Sequence, residues 1–204
     1  MSLNMPDHSE YVVFAEQLAN YSRAMLLIAS KKAPKITIKD DSSYVTETDK
    51  AVEQKLREEI QNKFPDHGII GEEFEDVNRN SDFVWILDPI DGTAAFVAGI
   101  PVYGTLIALA WKGMPFIGVI DHPLTDDRWV GVSNRISFMN GVPITTRSCK
   151  DMKKAYVTCS NPDFMSKNQF KQFEKLRDRV AYVQYGASCY AYGTLASGRS
   201  DFAV

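Results

Sequence analysis

The sequence lacks three features on which other classes of protein depend: a disulfide framework, a concentration of positive charge and a long apolar run. Its 204 residues include three cysteines, Cys149, Cys159 and Cys189, without a CxxC pair, which fits a reducing compartment and predicts a cytoplasmic protein. The formal net charge is -3 and no basic stripe is present, so a nucleic-acid partner is not expected. No run approaches roughly 18 apolar residues and no secretion signal opens the chain, so a membrane partner is not expected either.

Several familiar catalytic arrangements are missing as well. The chain contains no GxSxG elbow, no P-loop and no GxGxxG fingerprint. The histidines His8, His67 and His122 do not have the paired spacing of a zinc site, and each is expected in a loop or on the surface. The cysteines have no obvious catalytic partner, so they are interpreted as small, unreactive thiols.

The overall composition is that of an ordinary globular protein. Hydrophobic residues make up 45% of the chain and charged residues 24%, which argues against a disordered or fibrous protein. The length allows one large domain or two small ones. We expect a single domain over residues 10–204, preceded by residues 1–9 as a flexible tail or as residues added during cloning.

Two helices are predicted in the N-terminal part of the chain. Apolar residues recur at three- and four-residue steps over residues 10–30, as one buried face of a helix requires. The same spacing recurs over residues 49–64, and Pro65 ends that helix. The stretch between them, residues 36–41, predicts either an edge strand or part of a mobile loop.

Strands dominate the centre of the chain, and helices and strands alternate after it. Short buried strands are predicted at 69–70 and 83–87, an antiparallel meander at 102–111, 115–121 and 128–132, and a turn at 140–143. The alternating part comprises strands at 155–160, 179–184 and from 201 onward, and helices at 168–176, with Phe170 and Phe173 inward, and at 188–196.

The most informative stretch is WILDPIDGT, residues 85–93, in which an apolar strand ends in two acidic residues, Asp88 and Asp91. An Asp-Gly pair is also typical of a plain turn, so that interpretation stays open from composition alone. Upstream, Glu72 and Glu73 follow another apolar run. Two pairs of carboxylates therefore stand at strand ends, where they could converge.

Converging carboxylates need a positive partner. Four carboxylates in one place repel one another unless cations lie between them, and ligands that are all oxygen favour hard ions such as Mg²⁺. The residues therefore predict a Mg²⁺ site.

Two neighbouring segments add polar groups to this prediction. Gly92 and Thr93 supply a flexible backbone and a hydroxyl, and a helix beginning there would turn its free N–H groups toward a phosphate. In the second helix, Thr48 or Asp49 is expected as the N-cap, with Glu53 in the first turn. Capping explains Thr48 but leaves the role of Asp49 open.

Taken together, GEE at residues 71–73 and WILDPIDGT resemble the inositol monophosphatase superfamily. Further similar segments follow the family's order: VTETDKAVE at 45–53, PVYGTLIAL at 101–109, GVIDHP at 118–123 and GASCYAYGTLASGRSDF at 186–202. The resemblance covers roughly residues 10–204. It implies an α/β (α+β) fold, a layered α-β-α-β-α sandwich of the inositol monophosphatase and fructose bisphosphatase type, and a homodimer.

The resemblance also implies roles for individual residues. Mg²⁺ would be bound by Glu72, Asp88, Asp91 and the backbone carbonyl of Ile90. The phosphate would be held by Gly92, Thr93, Gly186, Ala187 and Ser188. The catalytic residues would be Asp49, Glu73 and Thr93, of which Glu73 assists near the metal while Asp49 and Thr93 position or activate the attacking water. The implied mechanism is direct attack by water on phosphorus without a covalent enzyme intermediate.

The finer details most resemble the histidinol-phosphatase branch, which implies histidinol phosphate as the small phosphorylated substrate. Inositol monophosphate, phosphorylated adenosine nucleotides and fructose bisphosphate stay open as alternatives, because specificity depends on pocket contacts. A non-catalytic binding or regulatory protein that retains the fold is a further alternative. Asp121 is expected either to face the pocket or to serve a turn before Pro123.

The family's next motif, a Trp-Asp or similar pair with another metal-binding Asp, would follow Val204. We therefore expect a chain truncated at its C-terminus, without one metal ligand and much of the substrate wall, which leaves its activity open.

Overall fold

The computed structural model describes residues 6–38 and 44–204. The described helices are α1 (Ser9–Ala29), α2 (Glu47–Lys63), α3 (Thr93–Ala98), α4 (Lys167–Arg177) and α5 (Tyr190–Ala196), with short 3₁₀ turns at Met152–Lys154 and Pro162–Phe164. The described strands are β1 (Ile36–Ile38), β2 (Tyr44–Thr46), β3 (Gly68–Gly71), β4 (Phe83–Asp91), β5 (Gly104–Trp111), β6 (Met114–His122), β7 (Asp127–Val132), β8 (Ser137–Met139), β9 (Val142–Ile144), β10 (Tyr156–Cys159), β11 (Tyr182–Tyr185) and β12 (Phe202–Ala203).

The largest element is a seven-stranded mixed sheet in the order β3-β4-β5-β6-β7-β8-β9. Strands β3 and β4 run parallel, with Gly71 beside Leu87. The remaining neighbours are antiparallel, and the meander β5-β6-β7 continues into a β8-β9 hairpin that turns at Asn140 and Gly141. Because β3 and β4 are parallel neighbours, the chain leaves β3 after Gly71 beside Asp88, through which β4 continues to Asp91.

Helices α1 and α2 cover one face of this sheet. Their apolar stripes bury Phe14, Leu18 and Leu56 against Trp85 and Leu109. The periodicity of both helices places these side chains on a single face, so their burial supplies the main hydrophobic contribution of the domain.

A second, smaller sheet consists of three parallel strands in the order β11-β10-β12. Helix α5 lies between this part and the large sheet. Its residue Gly193 contacts Trp129 of β7 so closely that an added Cβ would lie 2.6 Å from the indole ring. Trp129 Nε1 also donates to Ser197 Oγ at 2.8 Å. These contacts fix the position of α5, whose N-terminal turn points toward the end of β4.

The architecture confirms the predicted fold class, a layered α/β sandwich with a large mixed sheet and five helices in the described residues. Both N-terminal helices, the meander and the turn at 140–143 lie where the sequence predicts them. Within residues 36–41, β1 forms over Ile36–Ile38, and the rest of that stretch lies outside the described residues, as do residues 1–5 of the expected tail. No helix in residues 6–38 and 44–204 combines the length and apolar character needed to cross a membrane.

Three local predictions are wrong. Phe173 of α4 is buried, but Phe170 is 37% exposed, because the helix turns only a narrow face to the rest of the protein. Strand β11 begins at Tyr182, not at residue 179, since Arg179 still closes the end of α4 through its N–H bond to Leu176. Helix α2 is capped by Thr46, not by Thr48 or Asp49, and Glu53 lies in its buried second turn.

Candidate active site

The acidic residues predicted from the two strand ends lie near one another at the edge of the large sheet. The register that pairs Gly71 with Leu87 sets Glu72 beside Asp88, where β3 ends and β4 continues. The negative charges of Glu72 and Asp91 both act on Asp88. The predicted convergence is therefore present for Glu72, Asp88 and Asp91, and the parallel pairing of β3 with β4 brings Glu72 to Asp88. The position of the Glu73 carboxylate in this cluster stays a prediction.

Asp88 is the carboxyl group of this cluster whose ionised form is most disfavoured by its surroundings. Among side-chain nitrogen and oxygen atoms of the described residues, its Oδ1 alone is buried without a hydrogen-bond partner. Burial, followed by the nearby charges of Glu72 and Asp91, raises the pKa of Asp88 from 3.8 to about 8. A carboxylate in this position is therefore costly unless a positive charge lies beside it.

Asp91, the last residue of β4, is held from the other side of the fold. Its Oδ2 accepts a hydrogen bond from the backbone N–H of Cys189, which directly precedes α5. Burial raises the pKa of Asp91, whereas the hydrogen bond from Cys189 lowers it. The position of α5 thus determines the orientation of a carboxylate that is 98 residues away in sequence.

Asp49 is fully buried at the third position of α2. The backbone N–H and the hydroxyl of Thr46 both donate to its Oδ2, at 2.8 and 2.5 Å. The N–H of Asp49 donates in return to Thr46 Oγ1, which makes the pair a reciprocal capping box. Thr93 Oγ1 lies 3.3 Å from Asp49 Oδ1 and 2.9 Å from the carbonyl oxygen of Ile90. Burial raises the pKa of Asp49, and the hydrogen bonds from Thr46 and Thr93 oppose this effect. Asp49 therefore completes the capping box of α2 and also reaches Thr93.

Gly92 joins the end of β4 to α3 and adopts a left-handed conformation, with φ of 87°. A Cβ on this residue would lie 2.7 Å from Ser188 Oγ and 2.9 Å from the carbonyl oxygen of Val102. Only glycine permits both the backbone conformation and this approach. Gly92, Thr93 and Ser188 are therefore brought together, as the phosphate-site prediction requires.

Gly186 and Ala187, the other two residues predicted to bind phosphate, form the turn that precedes Ser188. The N–H of Gly186 donates to the carbonyl oxygens of Cys159 and Ser160, at the end of β10. Ala187 is half-buried between Gly186 and Ser188. The backbone hydrogen bonds of Gly186 thus anchor the turn that presents Ser188.

The donor atoms of the carboxylate cluster match some, but not all, of the requirements of a divalent cation. Its side chains offer only oxygen donors, one buried carboxylate oxygen lacks a partner, and its charges repel, so the chemistry of the residues fits a hard cation. Within the described parts of the chain, however, no three His, Cys, Asp or Glu side chains are arranged as a group that could hold a metal ion. Asp91 and Asp49 instead accept hydrogen bonds from Cys189 and Thr46. The ligand set Glu72, Asp88, Ile90 and Asp91 stays a prediction.

His122 and His67 both lie among aromatic side chains. His122 is 1% exposed and lies beside Trp129 and Tyr190, with its Nε2 atom 3.1 Å from Cys189 Sγ. His67 is stacked between Phe64 and Phe83, with ring centroids 4.6 and 4.9 Å away. The prediction of a loop or surface position is therefore wrong for His122, which is buried at the end of β6, and correct for His67, which lies in the loop between α2 and β3.

Cys189 and Asp121 also have structural surroundings. Burial, together with the negative charge of Asp91, raises the pKa of the Cys189 thiol, which disfavours a nucleophilic thiolate. Asp121 is buried and accepts hydrogen bonds from Arg23 and Arg128, at 2.7 and 2.6 Å. These bonds join β6 to α1 and β7, and Asp121 itself lies within β6 and not in the turn before Pro123. A position facing the pocket stays a prediction.

Sequence reasoning missed one buried ion pair beside the cluster. Glu53 and Arg57 lie on α2 at 0% and 8% exposure, and Arg57 Nε donates to Glu53 Oε1 at 2.8 Å. The signal was available, because the two residues follow Val52 and Leu56 directly and share the phase of the buried stripe.

The chain is similar to known proteins in sequence and in fold. The sequence pattern of the Inositol monophosphatase family matches residues 7–204. The bifunctional phosphatase IMPL2 of Arabidopsis thaliana, a chloroplastic protein, is 39% identical over 196 residues, which are 95% of this chain and 57% of that protein. A histidinol-phosphatase of Chlorobaculum parvum is 32% identical over 175 residues, which are 85% of this chain and 68% of that protein. The chain thus spans 57% and 68% of the length of these two relatives.

Solved structures agree with these matches. An inositol monophosphatase from Zymomonas mobilis superposes with a TM-score of 0.85 at 34% identity, covering 96% of this chain and 76% of that one. The suppressor protein SuhB of Bartonella henselae superposes with a TM-score of 0.89 over 95% of this chain and 78% of that one, although at 22% identity this likeness concerns the fold alone. Sequence and structure together show that the chain belongs to the inositol monophosphatase family, a family of phosphatases.

Proposed function

We propose that this protein hydrolyses a small phosphate monoester with the help of Mg²⁺ held at the carboxylate cluster. The observation that carries the proposal is Asp88, whose buried Oδ1 lacks a partner and whose pKa is raised to about 8 by burial and by neighbouring negative charge. A divalent cation removes both costs at once, because it supplies a ligand for the oxygen and neutralises the charges.

The proposed ligands are the side chains of Glu72, Asp88 and Asp91 and the carbonyl oxygen of Ile90. When bound, Mg²⁺ would supply stabilisation of phosphoryl charge and a more acidic water molecule. The amide of Cys189 holds Asp91 in its orientation.

The phosphate would lie against the left-handed Gly92, the backbone N–H of Thr93 and the hydroxyl of Ser188, beside the end of β4. Gly186 and Ala187 would support this cradle by fixing the turn before Ser188. Small residues and hydroxyl donors suit a phosphate, because its oxygens require close approach and several hydrogen bonds.

Thr93 and Asp49 are proposed to orient the attacking water. The single hydroxyl proton of Thr93 has two acceptors, Ile90 O at 2.9 Å and Asp49 Oδ1 at 3.3 Å. If Thr93 donates to Asp49, its lone pairs accept a proton of water, and the carbonyl of Ile90 is released for a cation. Burial raises the pKa of Asp49 and makes it a better proton acceptor. Glu73 is proposed to assist beside the metal site.

Histidinol phosphate is the proposed substrate. In support, the similar proteins of Chlorobaculum parvum and Mycobacterium tuberculosis, each 32% identical, are named histidinol-phosphatases. Inositol monophosphate is the alternative, because two Solanum lycopersicum relatives are named inositol monophosphatases, at 37% and 36% identity over 115 residues.

A non-catalytic role has a separate observation in its favour. Relatives from Pasteurella multocida and Pseudomonas aeruginosa, each 29% identical, are named Nus factor SuhB. A homodimer and a cytoplasmic location also stay predictions, and one relative is chloroplastic by name. Light scattering of the purified protein measures the oligomeric state.

Phosphate release tests the proposal. The assay offers histidinol phosphate, inositol monophosphate, adenosine 2′-monophosphate and fructose 1,6-bisphosphate to the wild-type protein, with Mg²⁺ and with a chelator. Asp88→Asn is expected to abolish release, whereas Asp163→Asn, at an exposed carboxylate in a 3₁₀ turn, is expected to leave it unchanged.

Thermal unfolding with and without Mg²⁺ accompanies the assay. Release that depends on Mg²⁺ and on Asp88 supports the phosphatase. Stabilisation by Mg²⁺ without release from any substrate favours the binding protein, and the absence of both effects contradicts the proposed metal site.

A further inference from the structure

The loop that carries Glu72 is held by a group that no proposed catalytic role includes. Glu53 on α2 is 0% exposed, and its two carboxylate oxygens have separate partners. Oε1 accepts from Arg57 Nε at 2.8 Å, and Oε2 accepts from the backbone N–H of Glu73, also at 2.8 Å. One side chain of the helix therefore binds the backbone of the loop directly after Glu72.

Arg57 holds the next residues of the same loop. Its Nη2 donates to the carbonyl oxygen of Phe74 and its Nη1 to that of Glu75, both at 3.0 Å. The guanidinium also lies 5.8 Å from the ring of Phe74. The planar guanidinium of Arg57 thus donates hydrogen bonds to Glu53 and to two consecutive loop carbonyls. A lysine cannot reproduce this geometry.

Gly71 shows how closely this pair approaches the start of the loop. A Cβ at position 71 would lie 1.9 Å from Glu53 Oε1 and 2.7 Å from Arg57 Nη2. The glycine leaves room for the ion pair directly beneath the end of β3. The pair consequently contacts the chain on both sides of Glu72, at Gly71 before it and at residues 73–75 after it.

We infer that Glu53 and Arg57 form a positioning clamp, which holds the loop 72–75 so that the Glu72 carboxylate faces Asp88. The inference rests on the proposed function, because it assigns the clamp to the cation site. A buried ion pair is a poor source of stability in itself, since the cost of desolvating both charges offsets their attraction. Fixing the backbone around a ligand gives the pair a role that hydrophobic packing cannot fill. Groups that orient a metal ligand change metal affinity by about 10- to 100-fold when they are removed.

The experiment compares two double variants of the same helix. Glu53→Gln with Arg57→Met removes both buried charges together, so neither is left uncompensated. The matched control is Lys55→Met with Glu59→Gln, an ion pair with the same four-residue spacing, 37% and 22% exposed, that lies away from the loop. Arg57→Lys is the conservative third variant, which keeps a positive charge beside Glu53 and guards against failure of the double variant to fold.

Hydrogen exchange without metal measures the clamp alone. Backbone amides of residues 72–75 are expected to exchange faster in Glu53→Gln/Arg57→Met, and to a smaller degree in Arg57→Lys, while the Lys55/Glu59 control matches the wild type. Equal exchange in all four proteins overturns the clamp.

Calorimetric titration with Mg²⁺ measures the effect of the clamp on cation affinity. The clamp variant is expected to bind Mg²⁺ about 10- to 100-fold more weakly, and its phosphate release is expected to recover at high Mg²⁺, which a general loss of folding would not allow. Unchanged Mg²⁺ affinity despite faster exchange overturns the positioning role. A wild-type protein that binds no Mg²⁺ overturns the proposed function and the link to metal, while the exchange result still decides whether the clamp exists.

Discussion

Replacing Asp88 by Asn is expected to stabilise the metal-free protein and to abolish its stabilisation by Mg²⁺. Asn has the shape of the carboxyl group and no charge. In the metal-free fold, burial and the charges of Glu72 and Asp91 raise the pKa of Asp88 from 3.8 to about 8. The folded protein must therefore take up a proton at neutral pH, and this uptake costs free energy that Asn does not require.

The size of the effect follows from the two pKa values. Between pH 3.8 and about 8, Asp88 is charged in the unfolded chain and protonated in the folded one, so the stability of the wild type falls as the pH rises. At pH 7 the cost has an upper bound of about 4 kcal/mol, and below pH 3.8 it vanishes because both states are protonated. The advantage of Asn is thus largest in alkaline solution and absent in acid.

Thermal and urea unfolding from pH 4 to pH 8.5, in chelator and in Mg²⁺, measure this difference. For a chain of this size, 1 kcal/mol corresponds to about 2–4 °C, so a gain of several degrees is expected for the metal-free variant near pH 8. Mg²⁺ is expected to raise the melting temperature of the wild type alone, with Asp163→Asn behaving like the wild type. A variant less stable than the wild type at pH 8, or equally stabilised by Mg²⁺, would refute this account of Asp88.

Three further outcomes are expected. Thr93→Val lowers kcat for phosphate release by about 100-fold or more while leaving calorimetric Mg²⁺ affinity intact, and Thr93→Ser restores most of the rate; equal rates for Val and Ser would exclude a role for the hydroxyl. Burial lowers the pKa of His122 from 6.5 to about 4. The wild type is therefore expected to lose up to about 3 kcal/mol of stability relative to His122→Gln as the pH falls through this range. An equal difference in urea-unfolding free energy between the two proteins at pH 7 and at pH 5 would contradict this. Asp121→Asn leaves Arg23 and Arg128 without a buried counter-charge and costs about 3–5 kcal/mol in urea unfolding, without weakening Mg²⁺ binding by the folded protein.

The elements best predicted from the sequence are those whose signal is local. Helices α1 and α2 and the β5-β6-β7 meander lie where the apolar spacing predicts them, because the period of the side chains decides which face is buried. Predictions that depend on the surroundings of an element were less accurate. The periodicity of α4 does not reveal that Phe170 stays 37% exposed while Phe173 is buried, and the spacing of the histidines does not reveal the aromatic rings beside His122.

For the candidate site, the sequence by itself determined which acidic residues follow the apolar runs. Glu72 lies directly after β3, whereas Asp88 lies inside β4, which continues beyond the predicted end at residue 87 to Asp91. Only the tertiary structure decided what surrounds them. The bond from the Cys189 amide to Asp91 and the approach of Ser188 to Gly92 join segments nearly 100 residues apart, and the hydrogen bonds of Glu53 and Arg57 to the loop depend on how α2 is rotated over the sheet. Such contacts follow from the packing of whole elements against one another, which no local spacing of residues encodes.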